Sequence, residues 1–155
     1  MEKYSEIEEF ELQLNESAKG FLRETAKWAY FLSILGYVGI GLIVLVAIFA
    51  GTIFATVGTM MPEGMGGLGS AFGMIMTVMY LLIAALYFFP VYYLNKFASN
   101  AKIALSDNDS KSLASSFEYL KSHYKFIGIM SLIILSFYAL IIVFIAIGSM
   151  AAGLR

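Results

Sequence analysis

The sequence predicts an all-α membrane protein: three long transmembrane helices that extend into a short cytoplasmic antiparallel helical stalk. Three observations predict it. The stretches between Lys27 and Glu63, between Glu63 and Lys96, and between Lys125 and Arg155 hold no charged residue and run to 35, 32 and 29 residues. About 20 apolar residues suffice for one crossing of the hydrocarbon core. The 155 residues are 60% hydrophobic and 14% charged, with a mean hydropathy of +0.81, far from the composition of a water-soluble domain. Finally, unbroken apolar runs such as 40–50 and 126–147 lack the alternation of a barrel strand. In lipid each segment must satisfy its own backbone, so these runs are helices.

The elements follow in order. Residues 1–13 form an acidic tail, with five glutamates before residue 12 and Lys3 as its one cation. Such a segment suits a mobile chain, although Tyr4, Ile7 and Phe10 also fit a helix. Residues 14–155 form one three-helix domain. The first helix is predicted near 16–58, with Asn15 or Ser17 as N-cap and Glu16 in the first turn. Its leading segment carries Leu14, Ala18, Phe21, Leu22, Thr25 and Ala29 at amphipathic spacing. No cleavable leader is expected, because the first apolar run starts late and follows an acidic segment. The second helix is predicted near 70–105, ending with Leu94, Phe97, Ala98, Ala101 and Leu105 on one face. Ser106-Asp107-Asn108-Asp109-Ser110 reads as a turn and cap. The third helix, near 110–151, opens with Leu113, Phe117, Leu120 and Tyr124 on one face. The three stripes predict an antiparallel bundle outside the bilayer, with Phe21, Phe97 and Phe117 in one core.

Nine of the ten Lys and Arg residues precede the first span or lie between the second and third. By the positive-inside rule the N-terminus and the second loop are cytoplasmic and the C-terminus is outside. The expected setting is a cell inner (plasma) membrane. Lys27, Lys96 and Lys125 bound the charge-free runs and are expected to meet at the headgroup level, with weak contact to anionic lipid rather than specific recognition. Trp28, Tyr30 and Phe31, the group Tyr87 to Tyr93, and Tyr124 and Phe126 supply an interfacial aromatic belt.

Small residues mark expected helix contacts, since they let backbones approach in lipid. These are Gly36, Ala47, Gly51 and Ala55 in span one, Gly73 with Ser70, Thr77 and Ala84 in span two, and Ala139 and Ala146 in span three. Pro90 lies inside span two and is expected to kink it, as a fixed bend rather than a gate.

Candidate chemistry is sparse. The spans hold no Asp, Glu, Lys, Arg or His, which disfavours proton-coupled transport and intramembrane hydrolysis. With no cysteine there is no thiolate chemistry. Met60, Met61, Met65, Met74, Met76 and Met79 gather near the outer loop, but with no His or Cys beside them they read as apolar filler rather than a Cu(I) site. The glycine-rich loop 62–69 lacks the Lys-Ser/Thr ending of a phosphate loop. His123, the single histidine, reads as a solvated interfacial residue. No cofactor, metal or nucleic acid is expected.

The segments Ala26-Lys27-Trp28, Tyr87-Phe88-Phe89-Pro90, Phe117-Glu118-Tyr119-Leu120-Lys121 and Phe126-Ile127-Gly128 resemble an uncharacterised family of small three-span bacterial inner-membrane proteins. The resemblance covers residues 14–148 and implies the same topology, with no activity. The expected function is that of a non-enzymatic membrane subunit, scaffold or accessory, working through helix packing in a homo-oligomer or a larger complex. The alternative is a homo-oligomeric channel lined by Thr52, Thr56, Thr77, Ser131 and Ser136.

Overall fold

The computed structural model describes residues 15–60 and 66–153. They form three helices: α1 (Glu16–Thr59), α2 (Gly66–Asp107) and α3 (Ser110–Gly153). All three are long and apolar enough to cross a membrane. The chain is therefore an all-α, multi-pass membrane protein. The acidic tail 1–13 and the loop residues 61–65 lie outside the described residues, and α2 begins four residues ahead of the expected start.

Local chemistry sets the helix ends. Asn15 takes an extended conformation, and its side-chain oxygen accepts from the Ala18 N–H at 2.8 Å, satisfying a donor that the helix cannot reach. Glu16 accepts from Lys19 Nζ at 2.9 Å, and this bond holds its exposed carboxyl below the ordinary range. At the far end of α2, Asn108 adopts φ 51° and the Asp109 N–H donates back to the Ala104 carbonyl at 3.2 Å. That is the Schellman stop, with asparagine in the left-handed position usually held by glycine. Asp109 at once caps α3. Its carboxylate accepts from the Lys111 N–H at 2.9 Å and from the Ser112 hydroxyl at 2.6 Å, and its pKa falls, with the Ser112 bond as the leading cause. One short turn thus closes α2 and opens α3, and makes them antiparallel neighbours.

α2 is the central element. It packs against both α1 and α3, while α1 and α3 nowhere approach within 8 Å, Cα to Cα, among the described residues. The stalk is thus an open row rather than a closed bundle. Its core is Ala26, Ala29, Phe97, Ala98 and Ala101, edged by Leu22, Leu94, Tyr119 and Leu120. The expected phenylalanine core is corrected here. Phe97 is 1% exposed, but Phe21 is 71% and Phe117 is 47% exposed. On α1 the buried stripe runs through Leu22, Ala26, Ala29 and Ser33, one position around the helix from Phe21. On α3 it runs through Ser116, Tyr119, Leu120 and His123, again one position from Phe117. The physical reason is size. Alanine and serine let helix axes close up, and a phenylalanine on each helix would hold them apart.

Candidate functional site: a closed seam and an open span

α1 and α2 meet along their whole length. The α1 seam is Ala26, Ala29, Ser33, Gly36, Ile40, Ile43, Ala47, Gly51, Phe54 and Gly58. These positions repeat with spacings of three and four; they keep the heptad alternation of knobs-into-holes packing from Ala26 to Ala47 and shift by one residue at Gly51. α2 answers with Gly69, Gly73, Thr77, Ala84, Val91, Asn95, Ala98 and Ala101. The approach is close enough to exclude side chains. A Cβ on Gly36 would fall 2.6 Å from Val91 Cγ2, and one on Gly69 would fall 2.5 Å from the Gly58 Cα. One on Gly73 would meet Phe54 Cβ at 3.0 Å, and one on Gly51 would collide with Thr77 Oγ1. Ala47 is fully buried. Gly36, Ala47, Gly51 and Gly73 therefore sit in the seam. Ala55 lies at its edge with an exposed side chain, while its backbone N is 3.5 Å from the Gly73 position. Gly39 and Gly41 face open space.

Few polar groups cross between helices, and each crossing involves α2. Thr77 Oγ1 lies 2.9 Å from its own Gly73 carbonyl and 3.2 Å from the Ala47 carbonyl of α1. The amide of Asn95 donates to Ser33 Oγ at 2.9 Å, and Ser33 in turn donates to the Tyr30 carbonyl at 2.7 Å. The buried Ser33 hydroxyl thus both accepts and donates, as a polar group removed from water requires. His123 Nδ1 lies 2.8 Å from the Pro90 carbonyl. A carbonyl only accepts, so Nδ1 carries the proton and Nε2 is left for acceptance or further protonation. The expectation of a solvated histidine is corrected: His123 is half-buried and is the polar tie between α2 and α3. Pro90 stands inside α2, also half-buried, with its carbonyl directed to this bond.

Around the same level, aromatic rings fill the junction of the three helices. Tyr37 packs on Phe88, Phe88 stacks on Tyr92, Tyr92 and Tyr93 both meet Tyr119, and Phe89 meets Phe126, with centroids 6.0–6.5 Å apart. Part of the expected interfacial belt is therefore internal packing. The signal was present in the sequence as the density of rings between Tyr87 and Tyr93, which exceeds what a boundary ring needs.

Past this junction α3 stands alone. Every side chain from Ser131 to Ile147 is exposed, Ala139 and Ala146 included. The seam expected on span three has no partner within the chain among the described residues. The hydroxyls of the expected channel do not converge either. Thr77 is half-buried in the α1–α2 seam, whereas Thr52 and Thr56 are exposed and bond back to the carbonyls of Phe49 and Thr52. Ser131 and Ser136 sit five residues apart, about 140° around α3, so one axis cannot see both.

The three boundary lysines occupy three levels, which corrects the expectation that they meet. The Asn95–Ser33 bond places Lys27 opposite residue 101 of α2, ~8 Å toward the stalk from Lys96. The His123–Pro90 bond places Lys125 near residue 88 of α2, ~12 Å the other way. The reason is segment length: α3 is longer between the turn and Lys125 than α2 is between Lys96 and the turn. Lys27 and Lys125 are exposed, while Lys96 is half-buried with Nζ 5.7 Å from the Tyr92 ring centroid. Long lysine stems still let the ammonium groups reach toward a common interface.

Of the methionines in and after the loop between α1 and α2, Met60, Met74 and Met79 are exposed, Met76 is half-buried, and Met61 and Met65 lie outside the described residues. Comparison with protein-family models, curated proteins and solved structures gives no match to this chain.

Proposed function

We propose that this chain is a non-enzymatic integral membrane subunit that works by helix packing, and that its partner-facing element is the outer half of α3. The observation that carries the proposal is the contrast within one copy. α1 and α2 press Gly36, Gly51, Gly69 and Gly73 into a shared seam, whereas every side chain from Ser131 to Ile147 of α3 is exposed among the described residues. Ala139 and Ala146 lie seven residues apart there, a spacing that keeps two small residues on one face for a neighbouring helix. The partner is a second copy of the chain or another membrane protein. The charge asymmetry supports a cytoplasmic stalk and an outside C-terminus. The channel reading draws no support from the scattered hydroxyls.

The test is mass measurement of the full chain in a gentle detergent, with Ala146→Cys cross-linking in native membranes. The expected result is a discrete assembly and a specific cross-link at position 146 that Ala139→Leu abolishes. A monodisperse single copy in detergent, with no cross-link in membranes, would sink the proposal.

A further inference from the structure

The stalk end of the α1–α2 pair holds a cleft of about 820 Å³ on the side of the seam lined by Arg23, Lys27, Tyr30, Ser99, Lys102 and Ser106. Arg23 and Lys27 are one helical turn apart on α1, and Lys102 faces them from α2. Three cations therefore converge on a cavity that no acidic residue lines. Among the described residues the single ion pair is Lys19–Glu16, so none of the three cations has a carboxylate within salt-bridge distance there. The cleft hydroxyls are already used as donors: Ser99 donates to the Asn95 carbonyl at 3.0 Å, and Ser106 has the Ile103 carbonyl and the Asp107 carboxylate as acceptors. Free donors come from Arg23, Lys27, Lys102 and the Tyr30 phenol. This set suits an anion with several acceptor oxygens. Asp107 stands behind Ser106, at the end of the cleft away from the spans, and repels an anion from that end.

Depth identifies the source of the anion. The charge-free run of α1 starts at Trp28, so Tyr30 marks the membrane end of the cleft and Arg23 its stalk end. Seven residues of helix cover ~10 Å. The headgroup layer is about 5–8 Å thick on each side of the hydrocarbon core. The cleft thus lies in that layer and runs slightly beyond it. Ala26, Ala98 and Ile103 give it apolar walls of the kind a glycerol backbone and acyl chain can lie against. Basic pockets between spanning helices at this depth recognise phosphate-bearing headgroups.

We infer that this cleft binds the headgroup of an anionic phospholipid, and that three cations favour a headgroup with two phosphates over one with a single phosphodiester. Arg23 grips phosphate oxygens through its fork, Lys27 and Lys102 add point charges, and Tyr30 lies against the lipid's glycerol region. The assignment goes beyond the packing function and does not depend on which partner α3 meets.

The experiment is titration of the full chain in a non-ionic detergent with cardiolipin, phosphatidylglycerol, phosphatidylcholine and inorganic phosphate, counting bound lipid by native mass spectrometry. Trp28, the only tryptophan, provides a fluorescence reading beside the cleft. The expected order of affinity is cardiolipin, then phosphatidylglycerol, then phosphatidylcholine, with no displacement by millimolar phosphate. The double variant Arg23→Gln with Lys102→Gln removes two exposed cations outside the buried core and should weaken cardiolipin about 30-fold. Lys111→Gln with Lys121→Gln, which removes two stalk cations away from the cleft, should change it by less than about twofold. Equal loss in both double variants would reduce the effect to diffuse attraction and overturn the site. Displacement of cardiolipin by inorganic phosphate would overturn the lipid source. Binding that appears only after residues 2–13 are removed would make the acidic tail the occupant instead.

Discussion

The spans of the α1–α2 pair and the half of α3 beyond Met130 have the same mean character, yet the first two share a seam and the last is exposed on every side. The spanning parts of both are apolar and uncharged, and both contain alanines. The difference lies in continuity. α1 offers a small or interdigitating residue every three or four positions from Ala26 to Gly58, and α2 faces it from Gly69 to Ala101. α3 has its buried and half-buried stripe only from Ser112 to Met130, then shows Leu, Ile and Phe on all sides. Lipid tails are as apolar as leucine, so hydrophobicity alone pulls no two spans together. Close backbone approach and a few hydrogen bonds do, and α3 has these only near the stalk.

The largest effect should separate the two kinds of stalk phenylalanine. Phe97→Ala removes the one fully buried ring of the stalk and should cost about 3–5 kcal/mol. Phe117→Ala, at an exposed site, should stay within about 0.5 kcal/mol. Thermal melts of both variants in detergent check this, and equal costs would mean that both rings share one core after all.

Next comes the seam itself. Gly51→Leu should weaken the α1–α2 pair by roughly 1–3 kcal/mol, because its side chain must displace Thr77. Gly41→Leu, on the open side of the same helix, should cost nothing measurable. An unchanged melting temperature for Gly51→Leu would move the contact face elsewhere.

A smaller loss, about 0.5–1.5 kcal/mol, is expected when His123→Ala removes the tie to the Pro90 carbonyl. Cysteines at positions 89 and 126 should then cross-link more slowly, while a pair across Gly36 and Val91 should not change. Slowing of both pairs would show that α3 supports the seam as well.

The smallest effect concerns the turn between α2 and α3. Asp109 has its folded pKa lowered, chiefly by the Ser112 bond. A carboxyl of this kind contributes stability above its unfolded pKa and loses it as pH falls through the depressed folded value. Amide exchange in the first turn of α3 should therefore quicken below the ordinary aspartate range. Asp109→Asn, which has no carboxylate to protonate, should show a flat profile over that range. The seam amides of α1 should respond to neither change.

Element identity and end points were legible because they rest on local chemistry. Charge-free length gives the number of spans, Asn15 offers a cap, and Asn108-Asp109 carries both the stop and the start within two residues. The small residues of span one were legible as candidates too. Which of them pack was legible only in part: Gly36 and Gly51 are pressed against α2, whereas Ala55 has an exposed side chain at the seam's edge. A helix apolar all round has no polar face to declare its back, so periodicity cannot orient it. Amphipathic stripes in the stalk narrowed the choice to a broad face, and the difference between Phe21 and Leu22 on it is 100° of rotation.

The sequence by itself therefore determined a three-span helical membrane protein with one basic, capped end, since length, charge and capping act within a few residues of where they are written. The tertiary structure decided the rest. It made α2 the shared neighbour, turned alanines rather than phenylalanines into the stalk core, and staggered Lys27, Lys96 and Lys125 along the axis. It also left the side chains of Ser131 to Ile147 of α3 exposed among the described residues. Those outcomes depend on how closely two backbones can approach and in which register they meet. These are properties of pairs of helices, and neither helix carries them alone.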